Sequence, residues 1–174
     1  MELAAYLTSG HFGETLMENW ESEFLQMGLF VLLTVWLRQK GSPESKPLSG
    51  REEVDRKPDP KRRGAPWPVR AGGVVGTLYE NSLSIALLGL FAITFAGHVV
   101  TGAVEYSEEQ VAHGGSPVSP MEYLGTAQLW FESFQNWQSE FMAIGALAVL
   151  SIFLRQRGSP ESKPVDAPMS KTGT

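Results

Sequence analysis

The chain contains no cysteine. Disulfides, thiolate metal sites and cysteine nucleophiles are therefore excluded, and thiols give no clue to the redox compartment. Basic residues are missing from most of its length: all 14 Lys and Arg lie in 38–70 or 155–171, and none lies in 1–37 or 71–154. There is no P-loop, GxGxxG, GxSxG or HExxH pattern and no pair of acids at a catalytic separation, so an enzyme is not expected. The opening MELAAYLTSGHF has neither a basic n-region nor an apolar h-region, so a cleaved signal peptide is not expected.

What is present is apolar and segregated. The 174 residues carry a formal net charge of −5, and a mean hydropathy of −0.10 blends a hydrophilic middle with three apolar blocks. Ser82 to Val104 has no formal charge apart from His98, and as a helix it reaches roughly 33 Å, enough to span a bilayer. Phe24 to Leu37 and Phe141 to Leu154 reach only about 21 Å, but starting each at its tryptophan gives about 27 Å. That puts Trp20 and Trp137 at headgroup level, where aromatic belts sit. The predicted spans are 20–37, 82–104 and 137–154.

The short blocks belong to a repeat. Residues 6–47 align without a gap on 123–164, and 19 of those 42 positions are identical, including Asn19/Asn136, Trp20/Trp137, Glu23/Glu140, Arg38/Arg155 and the whole of GSPESKP. Such self-similarity marks duplication. The second copy is preceded by the 82–104 block and an acidic loop, whereas the first has no equivalent. A four-span pattern of two hairpins with its first helix missing, or a start assigned too late, accounts for this. The organisation expected is a truncated first repeat over 1–47, a cytoplasmic disordered linker over 48–70, a second repeat over 71–164 with an outer loop at 105–136, and a tail at 165–174.

Together YLTSGHF, NWESEF with NWQSEF, SEEQVAHG and LRQRGSPESKP resemble a bacterial integral membrane protein family known only as a domain of unknown function. The resemblance covers nearly the whole chain. It implies a two-repeat membrane protein of a bacterial inner membrane, and brings no activity, cofactor or catalytic residue with it.

Charge placement gives direction. Under the positive-inside rule the 38–81 loop and the tail are cytoplasmic, while the N-terminus and the 105–136 loop are outside. Each NWxSEF then reads as an outer helix start: Asn19 and Asn136 cap, Trp20 and Trp137 anchor, and Glu23 and Glu140 complement the helix dipole. At the inner ends Arg38 and Arg155 meet the helix C-termini and the anionic leaflet, and Gly41 and Gly158 suit a C′ position.

Glu23, Glu140 and His98 are the candidate pathway residues, because ionisable groups inside a span are suspected of carrying ions or protons. The plainer reading makes the two glutamates interfacial and gives His98 a hydrogen bond to a neighbouring helix. His98 shares a face with Leu87, Phe91 and Thr94. On another face Ala86, Gly89 and Ala96, with Ser82, form a small-residue stripe suited to close helix packing. Glu105, Glu108, Glu109 and His113 read as a solvated face rather than a cation site.

The expectation is an all-α integral membrane protein with three transmembrane helices and an internal hairpin repeat, non-enzymatic, structural or partner-binding. Its partners would be the lipid bilayer and a second copy or other membrane proteins, with no cofactor, no metal and no nucleic acid. The alternative is a proton or cation conductor using Glu23, Glu140 and His98. The two differ in whether those three side chains converge.

Overall fold

The computed structural model describes Leu7 and residues 9–173, and among these there are helices and turns but no strand. Three helices are long: α1 (Gly10–Trp36), α4 (Ser82–Ala112) and α6 (Ala127–Phe153). Three are short: α2 (Trp67–Ala71), α3 (Gly73–Glu80) and α5 (Pro120–Leu124). Of the described helices, α4 is the one long and apolar enough to cross a membrane by length and composition. Residues 1–6 and 8, where the outer N-terminus and the start of the first repeat were expected, lie outside the described residues.

The ends of α1 and α6 fall where the Arg-Gln pairs predict, within a residue or so, but their beginnings do not. Both helices start about ten residues before their tryptophan. Asn19 and Asn136 are therefore not caps. Each lies mid-helix and donates to the carbonyl four residues back, Asn19 to Thr15 at 2.7 Å and Asn136 to Glu132 at 3.5 Å. Nor are Glu23 and Glu140 in first turns. No Pro interrupts the preceding stretch, and its polar side chains find partners inside the fold, so the helix continues through it.

The chain forms two compact units, Met1–Gly28 with Ala86–Phe141, and Leu29–Ile85 with Met142–Thr174. In the first, α1 runs antiparallel to α4. A Cβ on Gly10 would meet Val104 and Glu105, one on Gly13 would meet Thr101, and one on Gly97 would fall 2.7 Å from the Met17 sulfur. Small residues thus allow the backbones to approach. α6 packs on α4 through aromatic rings, Trp137 against Phe91 at 6.4 Å and Trp130 against Phe95 at 6.1 Å.

The loop between α4 and α6 is built on α4. The stretch VEYSEEQVA continues the helix to Ala112, and Gly114 ends it with φ 81°. Ser107 accepts from the Val118 amide at 2.9 Å and donates to the Ala103 carbonyl at 2.6 Å, pinning the returning chain. Ser119 and Glu122 then form a reciprocal capping box around Pro120 at the start of α5. This lays Tyr123 against Gly102, with its ring 5.5 Å from that of Tyr106.

In the second unit the two GSPESKP copies adopt the same turn. Gln39 N donates to Ser45 Oγ at 2.8 Å and Gln156 N to Ser162 Oγ at 2.9 Å. Gly41 and Gly158 have φ of 85° and 84°, but they sit in this turn, several residues past the helix ends. Arg155 donates to the carbonyls of Ser151, Ile152 and Leu154 and also to that of Ala167. It closes its helix as the sequence predicts and ties in the tail as well. Arg38, exposed, donates to Pro47 O at 2.8 Å. Residues 48–70, expected to be a disordered linker, are largely exposed, but they hold one 3-10 turn at Glu53–Asp55 and the start of α2 at Trp67. Ion pairs Lys46–Asp55 and Arg56–Glu53 frame that turn.

Candidate functional site

The polar residues of the first unit converge on His98. On α1, Glu14, Glu18 and Glu21 follow one another at i, i+4 and i+7, which puts them on one helical face. On α4, Leu87, Thr94, His98, Gly102 and Ala103 are buried, and the first turns of α6 contribute Glu132 and Ser133. His98, Glu21 and Ser133 are wholly inaccessible, and Glu14 is buried as well.

His98 Nδ1 lies 2.8 Å from Glu21 Oε2. A carboxylate accepts only, so Nδ1 carries a proton and donates it. On the other side of the ring Nε2 is 3.4 Å from Glu132 Oε2, without hydrogen-bond geometry and with no other partner. Glu132 is itself held at both oxygens. Tyr123 donates to Oε2 at 2.7 Å, and Gln128, one helical turn earlier on α6, donates to Oε1 at 2.6 Å. The Tyr123 hydroxyl is also 3.5 Å from Glu14 Oε1. Burial, then its bond to Glu132, pushes the Tyr123 phenol pKa up, so it stays a neutral donor. Glu18 accepts from the Asn136 amide. One ligand atom from each of Glu14, His98 and Glu132 lies within 4.8 Å of the other two.

Charge is the distinctive property of this arrangement. Four carboxylates and one imidazole sum to −3 even with the imidazole doubly protonated, and no Lys or Arg falls within 1–37 or 71–154 to offset them. Uncompensated buried carboxylates are penalised by several kcal/mol each, roughly. Additional positive charge, as protons or a metal ion, would offset the cost at the two buried members, Glu14 and Glu21.

Of the three candidate pathway residues, His98 alone belongs to this centre. Glu23 is exposed. Glu140 is half-buried, and it is its backbone carbonyl that accepts from Gln26, at 3.3 Å. They do not converge with His98, so a site built from that trio is corrected. Sequence reasoning missed Glu14, Glu18, Glu21, Tyr123 and Glu132. The spacing of Glu14, Glu18 and Glu21 was the available signal. Trp20 is 44 % exposed, whereas the indole of Trp137 is half-buried against Phe91 and Phe134. The stripe of Ala86, Gly89 and Ala96 is exposed. A Cβ on Gly89 would meet nothing within 4 Å among the described residues, so the close approach within this unit uses Gly10, Gly13 and Gly97 instead.

Fold and site together define an all-helical protein with a buried carboxylate–imidazole centre. The chain matches, over residues 1–174, the model of a family described as a domain of unknown function, DUF6766. It belongs to that family. Neither the comparison with curated proteins nor that with solved structures found a match.

Proposed function

We propose that this chain is a non-enzymatic helical membrane protein that spans the bilayer with α1, α4 and α6 and conducts a cation by way of the His98 centre. The observation that carries the reading is inverted polarity. Glu14, Glu21, Ser22, Thr94, His98 and Ser133 are buried, while Leu33, Trp36, Ile93, Val100, Leu147, Leu150 and Phe153 are exposed. Water disfavours a surface with this much apolar area, and a bilayer accommodates it. The segregation of Lys and Arg supports an N-terminus outside and a C-terminus in the cytoplasm of a bacterial inner membrane. The outward stripe of Ala86, Gly89 and Ala96 supports a second reading alongside the first, contact with another copy or another membrane protein.

Conduction replaces the trio of Glu23, Glu140 and His98 with Glu14, Glu21, His98 and Glu132. The test is reconstitution in liposomes holding a pH-sensitive dye or a metal-sensitive dye, with an imposed gradient of protons, potassium or a divalent ion. Wild type should dissipate at least one gradient faster than empty liposomes. Glu132→Gln should abolish the effect and Glu23→Gln should leave it intact. Decay no faster than in empty liposomes for every cation would overturn conduction.

A further inference from the structure

We infer that Glu14, His98 and Glu132 form a binding site for a first-row divalent transition-metal ion, with Glu21 and Tyr123 orienting the ligands. The inference deepens the proposed conduction by naming the class of cation, and it rests on that reading for the ion's purpose but not for its binding.

Two independent observations point to a ligand. The first is the unpartnered Nε2 of a wholly buried histidine. With the ring proton engaged by Glu21 on Nδ1, Nε2 is left facing Glu132 Oε2 without hydrogen-bond geometry. The two atoms stand 3.4 Å apart, a gap that a proton on Nε2 leaves as an ion pair and that a metal ion in its place would convert into two bonds. The second is geometric. Two ligand atoms each about 2.1 Å from a common ion at a tetrahedral angle are about 3.4 Å apart. The Nε2 to Oε2 separation already matches this. The Glu14 oxygen completes a triangle within 4.8 Å and needs only to move inward.

The surrounding groups resemble those that support metal ligands. A histidine that ligates through one nitrogen commonly donates its other N–H to a carboxylate, which fixes the tautomer and raises ligand basicity. Glu21 supplies that partner at 2.8 Å. Ligating carboxylates are in turn hydrogen-bonded, and Glu132 takes bonds from Tyr123 and Gln128. One imidazole and two carboxylates suit zinc or manganese, whereas the absence of cysteine disfavours soft ions such as copper(I). Three protein ligands leave a coordination position open to water, unlike the closed four-ligand pattern of structural zinc.

The experiment uses the full chain in detergent, freed of any affinity tag and stripped with a chelator, titrated calorimetrically with zinc and separately with manganese. One ion per chain should bind. Glu14→Gln, His98→Gln and Glu132→Gln should each weaken binding at least tenfold, Glu21→Gln by about 10- to 100-fold, and Glu23→Gln not at all. Because Glu14 is buried among other carboxylates, the stripped Glu14→Gln variant should melt no lower than stripped wild type, which shows that its loss of metal is not a loss of fold. A fixed metal concentration should raise the melting midpoint of wild type and of Glu23→Gln alike, and those of Glu14→Gln and Glu132→Gln less. Wild type that binds neither ion more tightly than Glu132→Gln overturns the metal site. If liposome flux nonetheless responds to Glu132→Gln, conduction stands with protons or a monovalent ion as its cargo. Metal binding without flux would remove conduction and keep the site.

Discussion

The substitution Gly102→Ala tests the link between helix packing and the His98 centre. A Cβ at that position would fall 2.6 Å from Tyr123 Cε1, 2.8 Å from its hydroxyl and 2.9 Å from Cζ. All three belong to a ring that is wholly inaccessible and cannot swing into open space. Overpacking of this kind is destabilising by about 1–3 kcal/mol, while the helix recovers about 0.5–1 kcal/mol from replacing Gly by Ala. If the ring moves far enough to lose Glu132, a hydrogen bond to a charged group worth about 1.5–3 kcal/mol goes with it. The net loss lies between about 0 and 5.5 kcal/mol, the upper end if the bond to Glu132 breaks. Gly89→Ala is the control, since its Cβ has open space and should be stabilising by about 0.5–1 kcal/mol. Melting in detergent, followed by near-ultraviolet circular dichroism, should place the two variants on opposite sides of wild type. Tyr123→Leu should then make Gly102→Ala nearly harmless, because the two residues are in contact and their effects couple. Equal melting of Gly102→Ala and Gly89→Ala would refute the packing of Tyr123 on α4.

Three further outcomes are expected. Asn136→Leu should destabilise by about 1–3 kcal/mol by leaving the half-buried Glu18 without its donor, whereas Asn19→Leu should stay within about 0.5 kcal/mol; paired unfolding curves decide, and equal effects would deny the two asparagines different roles. The Glu161 carboxyl hydrogen-bonded to Glu44 pushes the Glu44 pKa up from 4.5 to about 7. A raised folded-state value favours the folded protein below pH 4.5 and loses that contribution as pH rises through about 7, so the melting midpoint should fall between pH 5 and 8 by an amount that Glu44→Gln reduces; superimposable pH profiles would count against the contact. Single cysteines at Ser9 or Ser116 should react with an impermeant thiol reagent in whole cells while ones at Ser49 or Ser170 should not, and labelling of Ser49→Cys would reverse the proposed orientation.

The elements were easier to read from the sequence than the site. The charge-free run around His98 marks α4 because few other structures tolerate it, and Arg38 and Arg155 mark where α1 and α6 stop. The starts were hidden. NWESEF and NWQSEF resemble boundaries because an Asn beside an anchor residue is a common cap, yet in both copies the helix had already run three turns. His98 stood out as the lone ionisable group in its run. Its partners did not, because the repeat directed attention to Glu23 and Glu140, which are the same in both copies. Tyr123 could not be inferred at all, since only the pinned return of the chain at Ser107 and Val118 brings it to Gly102.

The duplication is broken at the centre itself. Glu14, Glu18, Glu21 and Glu132 correspond in the other copy to Phe131, Gln135, Gln138 and Thr15. No acid of the centre is matched by an acid in its repeat mate. On the proposed conduction, the repeat therefore supplies no symmetry mate of the His98 centre among the described residues, where a matched pair would have permitted a queue. Pores that depend on ions displacing one another need adjacent sites. If the His98 centre acts alone it empties before it refills, and its throughput should saturate hyperbolically with ion concentration, as a carrier's does.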